Sequence, residues 1–194
     1  VWWVFKQIWD KGLVYQDYKV VPYCPRCQTA LSSHELAQGY KKVTEESVFV
    51  KFKVKKGKGA VKKGDFLLAW TTTPWTLPGN VALAVNPKTG YIRVKQNNEV
   101  YILAEKLAPK VLGQDWEVLD KMRGKDLAGI EYEPPFDAIK TDKKAWYVVL
   151  ADFVTTDEGT GIVHTAVMYG EDDFNLTKKH NLPKVHTVDE KGNF

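Results

Sequence analysis

Three stretches of this chain concentrate side chains able to do chemistry. The first is TTTPWTLPGN, residues 71–80, where the consecutive hydroxyls of Thr71, Thr72 and Thr73 precede Trp75, set between two prolines, and Asn80 closes the run. Hydroxyls so placed can orient a polar substrate or a water, and an indole can bound an apolar group. The second is GTGIVHTAVMYGEDDF, residues 159–174, which brings His164 and Thr165 close in sequence to Glu171, Asp172 and Asp173. An imidazole and carboxylates can move a proton or hold a cation. The third is YCPRC, which holds the only two cysteines, Cys24 and Cys27.

Each stretch also has a plain reading. Threonine is a good strand former, a lone histidine on an apolar strand is often a satisfied core residue, and acids at a helix start complement its dipole and free N–H groups. The cysteines admit three readings. They can be half of a zinc ribbon, two reduced thiols, or a redox dithiol, and nothing around Cys24 resembles the strand-to-helix setting that lowers a thiol pKa. A structural zinc ion takes four ligands, and His34 would add only a third, at an unusual spacing.

The elements that must position these groups follow from periodicity. Val1, Val4, Phe5 and Ile8 lie at helical spacing in a segment that stops near Gly12 and has no capping residue ahead of it, the layout expected of a piece of a longer chain. From about residue 46 the period becomes two. VFVKFKV sets Val48, Val50, Phe52 and Val54 on one face and Lys51 and Lys53 on the other. FLLAWTTT, NVALAVNP, YIRVK, EVYIL, WYVVLADFV and GIVHTA read as further strands, with Gly159 and Gly161 turning the chain into the last of them. AEKLAPKVL and DDFNLTKKHN read as helices. Strands dominate, joined by turns, so the expected class is α+β, β-rich and barrel-like.

The chain has 194 residues, 44% hydrophobic and 27% charged, with a net charge of +4. That suffices for a real core. No apolar run approaches the roughly 18–20 residues that span a bilayer, and the N-terminus lacks the layout of a secretory signal, so the expectation is a cytoplasmic protein without a membrane partner. KFKVKKGKGAVKK, residues 51–63, holds much of the lysine; it reads as a solvated strand edge or as a contact to nucleic-acid phosphate.

TTTPWTLPGN together with GTGIVHTA and GEDDF resembles the editing insertion of the isoleucyl-tRNA synthetases, class I enzymes, and YCPRCQTALSSHE and GKDLAGIEYEPPF look like the same family. The resemblance covers essentially the whole chain. The related valyl and leucyl enzymes usually carry Arg where this chain has Pro74 and an acid at Trp75, which favours the isoleucyl type. The family's ATP-handling signatures HIGH and KMSKS are absent from these residues, so the resemblance implies a proofreading piece unable to aminoacylate. It implies an entry helix and half zinc-ribbon stem over 1–45, an editing domain over 46–182, and an exit strand over 183–194 leading to the missing synthetase core. Zinc would then be completed only in the full-length protein, and editing would need no cofactor.

The resemblance also implies roles. Asp173 corresponds to the carboxylate that binds the substrate ammonium, Thr71, Thr72 and Thr73 to the threonine strand contacting ester and water, and Trp75 to an apolar wall. His164 sits where the family narrows the pocket, and Asn80 aligns with a pocket-side polar residue. Asp173 and Thr73 are thus the implied catalytic pair. The partners would be the acceptor end of tRNA(Ile) carrying valine and the rest of the synthetase chain, in a monomer; valyl-adenylate would be a further substrate of the intact enzyme. The competing reading is a tRNA acceptor-end binding module that does not cut. One departure stands out: the family most often reads HTAPAFGEDD, whereas this chain has Val167, Met168 and Tyr169 in the middle.

Overall fold

The computed structural model describes residues 1–194. Its first helix, α1 (Trp2–Asp10), ends before Gly12 as its periodicity predicts, and buries none of its residues. The two short strands β1 (Tyr23–Cys24) and β2 (Thr29–Ala30) make a hairpin, with Cys24 paired to Thr29 and Gln28 in the left-handed region at φ 54°. Helix α2 (Ser33–Gln38) opens on a capping box, in which Ser32 and Glu35 satisfy each other's backbone N–H groups.

The rest is built on one nine-stranded mixed sheet. Its members are β3 (Val48–Lys56), β4 (Phe66–Thr71), β5 (Ala82–Val85), β6 (Gly90–Gln96), β7 (Glu99–Ala104), β8 (Glu117–Arg123), β9 (Glu131–Tyr132), β10 (Tyr147–Leu150) and β11 (Ile162–Thr165), in the spatial order β11-β5-β10-β9-β3-β4-β7-β6-β8. The long strand β3 is the hinge: its first half pairs with β4, and past Val54 its register shifts and it pairs with β9. The sheet curls until β11 lies over β4, and Ala104 N–H at the end of β7 donates to Thr160 O, just before β11, at 2.8 Å, but no ladder joins the sheet's two ends. The class is therefore β-rich α+β, as expected, and the barrel-like curl stays open.

Three apolar clusters hold it. Phe52, Leu67, Leu83, Ile102, Tyr132 and Ile162 fill the inside of the curl. Val81, Ala84, Val149, Leu176 and Leu182 join β5 and β10 to helix α5 (Glu171–His180). Leu68, Ile92 and Leu103 pack under Ala108, which opens helix α3 (Ala108–Leu112), and the short helix α4 (Gly124–Leu127) follows β8. One buried ion cluster sits among them: Arg93 donates to Asp65 at 2.8 and 3.1 Å and to Asp120 at 3.1 Å, tying β6 to β8 and to the turn before β4. Breaking one partner would strand a buried charge.

Several expectations are altered by the tertiary structure. The apolar face of β3 is buried only at Phe52 and Val54, while Val48 is exposed. Only Thr71 of the three threonines is in a strand; after Thr73 the chain turns into a 3₁₀ helix over Pro74–Gly79. Proline fits its first position because the N–H it lacks would have no partner there. The edge strand β8 was not anticipated, since EVLDKMR alternates no apolar face and is held by backbone bonds to β6. Residues 183–194, expected as an exit strand, contain no strand. They lie along the hairpin instead: Tyr23 Oη donates to Glu190 O at 3.1 Å, and Gly192 lies against Pro25. No helix is long and apolar enough to cross a membrane.

Candidate functional site

The end of β4, the 3₁₀ helix, the end of β11 and the start of α5 meet around a cleft of about 290 Å³. Two glycines make that meeting possible. Gly159 and Gly161 have φ of +71° and +74°, and a Cβ on them would lie 2.8 Å from Trp70 and 2.5 Å from Ala104, so only glycine lets β11 approach β4 and β7 this closely. Thr71, Thr72, Thr73, Thr76, His164 and Asp173 all line the cleft. The threonine run and the segment 163–173, some ninety residues apart in sequence, are thereby brought together.

His164 pairs across the sheet with Leu83 of β5 and is only 7% exposed. Its tautomer follows from its neighbours. Asn80 Nδ2 donates to Ala82 O at 3.0 Å, which fixes the amide's orientation, and the same Nδ2 lies 2.9 Å from His164 Nδ1. Nδ1 must therefore accept, and Nε2 carries the proton and donates to Thr76 Oγ1 at 2.8 Å. Thr76 Oγ1 in turn donates to Thr73 O at 2.8 Å. Burial pushes the imidazole down to about 4, which agrees with a neutral ring whose two nitrogens are both engaged. Such a ring has no free lone pair with which to act as a base.

The threonine run is bound to this chain of bonds. Thr73 N–H donates to Thr71 Oγ1 at 3.0 Å, and Thr73 Oγ1 lies 3.3 Å from both Thr71 Oγ1 and Thr76 Oγ1. Thr72 and Thr73 are exposed at the cleft. The Thr73 hydroxyl keeps capacity to bind a group entering it. Thr76, the fourth threonine of the same run, carries no signal of its own in the sequence; only the contact with His164 marks it out.

Asp173 lies in the first turn of α5, but it does not cap that helix. Its Oδ2 accepts the N–H of Ala166, at the end of β11, at 3.1 Å, and no lysine or arginine pairs with it. Burial raises its carboxyl to about 6, with the Ala166 N–H opposing the rise and the charge of Asp172 adding to it. A carboxylate so placed is a poor ion alone and a good partner for a cation brought by a ligand. Glu171 and Asp172, by contrast, are exposed.

Two expected residues are placed otherwise. Asn80 is 1% exposed and all its polar groups are spent: besides its bonds to Ala82 and His164, its Oδ1 accepts from Tyr132 Oη at 2.7 Å and its carbonyl accepts from Trp146 Nε1 at 3.0 Å. It does not reach the cleft and acts as the brace of His164. Trp75 is 50% exposed and lines a neighbouring groove of about 970 Å³, between the β1–β2 hairpin and residues 186–194. The 3₁₀ helix turns its indole away from the Asp173 cleft. The lysine run 51–63 runs away from the cleft toward the other end of the β3–β4 pair, because Val48 of β3 is opposite Thr71 while Lys53 is opposite Phe66.

The cysteines do not form a metal site by themselves. Cys27 N–H donates to Cys24 Sγ at 3.4 Å, and that bond holds the Cys24 thiol below its ordinary pKa, while the Cys24 sulfur raises that of Cys27. No group of three or more His, Cys, Asp or Glu side chains could hold a metal ion, and His34 is bonded to Gln38 at 2.8 Å. Zinc in the purified 194-residue protein is therefore expected well below one equivalent. Near-stoichiometric zinc by elemental analysis, lost in Cys24→Ser, would contradict this.

Known proteins resemble the chain in sequence and in fold. The family model "tRNA synthetases class I (I, L, M and V)" matches residues 1–167. The isoleucine–tRNA ligases of Clostridium novyi and Clostridium tetani are 55% and 52% identical over 194 residues, and that of Thermus thermophilus is 48% identical over 192. The chain is covered completely by the two clostridial relatives and spans 18% of their length. Among solved structures, GlLeuRS-CP1 aligns with a TM-score of 0.57 at 20% identity, over 69% of this chain and 60% of that one. The editing domain of Plasmodium knowlesi cytosolic leucyl-tRNA synthetase aligns at 0.56 and 19%, over 74% and 66%. At such identities these two speak for the fold alone.

Proposed function

Because the chain belongs to the class I tRNA synthetases of the I, L, M and V group, we propose that its threonine-lined cleft proofreads, hydrolysing the ester of valyl-tRNA(Ile), with valyl-adenylate as a second substrate of the intact enzyme. The observation that carries this is Asp173, a carboxylate at the cleft without a cationic partner. An aminoacyl ester brings a free α-ammonium there, whereas a peptide-linked amino acid has none.

The need for a second site is energetic. One methylene is worth only about 1–3 kcal/mol to a pocket, a limit for which the isoleucyl enzyme's choice between isoleucine and valine is itself the standard illustration. Here Asp173 would hold the ammonium, and the hydroxyl of Thr73 with its neighbours would orient the ester and the attacking water. The water oxygen bonds to the carbonyl carbon, the bond to the ribose oxygen breaks, and the ribose hydroxyl and the free amino acid leave. An aminoacyl ester is activated already, so positioning supplies much of the rate. His164 shapes the cleft and takes no proton, since both its nitrogens are engaged.

The test is deacylation of valyl-tRNA(Ile) by this chain, with isoleucyl-tRNA(Ile) as the spared control. Binding of valyl-tRNA without cleavage would replace the proposal with an acceptor-end binding module. A pH profile sharpens it. With the Asp173 carboxyl at about 6, the free protein loses the needed charge as pH falls through that value, so kcat/KM should drop about tenfold per unit below it. An acid limb near 4 would point to His164 instead.

A further inference from the structure

Tyr169 stands where two compartments meet. It lines both the Asp173 cleft and the large groove containing Trp75, as Thr73 and Thr76 do. The ring is not free to turn. Thr187 N–H donates to Tyr169 Oη at 2.5 Å, and that oxygen lies 2.9 Å from Thr187 Oγ1, which can accept its proton. At the base of the side chain, Tyr169 N–H donates to Ala166 O at 3.0 Å. Gly79, ending the 3₁₀ helix, borders this junction: a Cβ there would stand in ordinary contact, 3.4 Å from both the ring and Thr187 Oγ1.

We propose that Tyr169, locked by Thr187, is a size-determining wall of the cleft, and that residues 183–194 act on substrate choice through that lock. The inference rests on the editing reading above and adds a residue to it. Trp75 lines the groove and not the cleft, and of the residues common to both, Thr73, Thr76 and Tyr169, only the last is large, so the limit on the aminoacyl side chain in that direction falls to the Tyr169 ring. Its hydroxyl is what joins the ring to the 183–194 segment; a phenylalanine would fill the same space without a tether. Thr187 touches the wall and not the cleft, which makes it a positioning residue. With the tether gone, the ring can swing toward the groove and the cleft gains depth, so a larger side chain enters.

Tyr169→Phe removes both bonds and keeps the ring; Tyr169→Ala removes the wall. Deacylation of valyl- and isoleucyl-tRNA(Ile) should be compared in both variants, together with hydrogen exchange at the Thr187 amide. The Phe variant should cleave isoleucyl-tRNA at least about fivefold better relative to valyl-tRNA than the parent does, since either one of the two lost hydrogen bonds is worth about that factor, and the Ala variant should do so more strongly still. The Thr187 amide should exchange faster in both. Unchanged discrimination in folded variants, with valyl-tRNA still cleaved, would overturn the wall while leaving the editing reading intact. Unchanged exchange at Thr187 would overturn the lock. A parent protein that cleaves neither ester would refute the editing reading, and the size role with it.

Discussion

Asp173→Asn should remove most deacylation of valyl-tRNA while leaving the protein at least as stable at pH 7. The amide keeps the size of the side chain, and its oxygen can still accept the Ala166 N–H. What disappears is the charge opposite the substrate ammonium. A charge-assisted bond is worth about 1.5–3 kcal/mol, so kcat/KM should fall roughly thirtyfold for a loss of about 2 kcal/mol. Stability should move the other way. A carboxyl raised to about 6 by burial binds its proton more readily folded than unfolded, so its contribution is lost as pH rises from the ordinary value near 3.8 through 6. At pH 7 the ionised group is therefore a cost that asparagine does not carry. The depressed His164 has the opposite slope: stability is lost as pH falls from 6.5 toward 4. Thermal melts of the variant should thus show stability rising with pH more steeply over that interval than in the parent. An unchanged cleavage rate would reduce Asp173 to a support for the Ala166 turn.

His164→Ala should yield a protein that cleaves isoleucyl-tRNA as well as valyl-tRNA. If the imidazole narrows the cleft, removing it makes room for the extra methyl of isoleucine, and activity on the spared substrate rises, which loss of mere support would not produce. The rise should be about tenfold or more, the scale set by one methylene. The cost in stability should be about 2–3 kcal/mol, from the space left by a buried side chain and the lost bonds to Thr76 and Asn80. It stays moderate because neither neighbour is orphaned: Asn80 Nδ2 keeps Ala82 O and Thr76 Oγ1 keeps Thr73 O. A folded variant that still spares isoleucyl-tRNA would take His164 out of the sieve and leave size selection to Tyr169.

Much of the architecture was legible because short-range patterns express it. Alternation in VFVKFKV marks a strand since side chains on a strand alternate faces, short apolar runs such as EVYIL and GIVHTA mark buried strands, and the acids that precede FNLTKKH mark a helix start since its first N–H groups and dipole favour them. The edge strand β8 and the two-residue strand β9 were not legible because backbone partners far along the chain define them, and the hairpin strands β1 and β2 because two residues are too few to show a period.

The site divides in the same way. Sequence alone determined which groups were available: a threonine run, a histidine at a strand end, and an aspartate at a helix start. Whether each faces a ligand depends on what surrounds it on every side, and that is a property of the packed sheet. The curl that brings β11 over β4 put Asp173 and Thr73 around one cleft, and the Ala166 N–H drew Asp173 away from helix capping. It buried Asn80 among four partners and so made it a brace. The 3₁₀ turn at Pro74 sent Trp75 into the neighbouring groove, and a hydroxyl on Tyr169, unremarkable in the sequence, became the tether to Thr187.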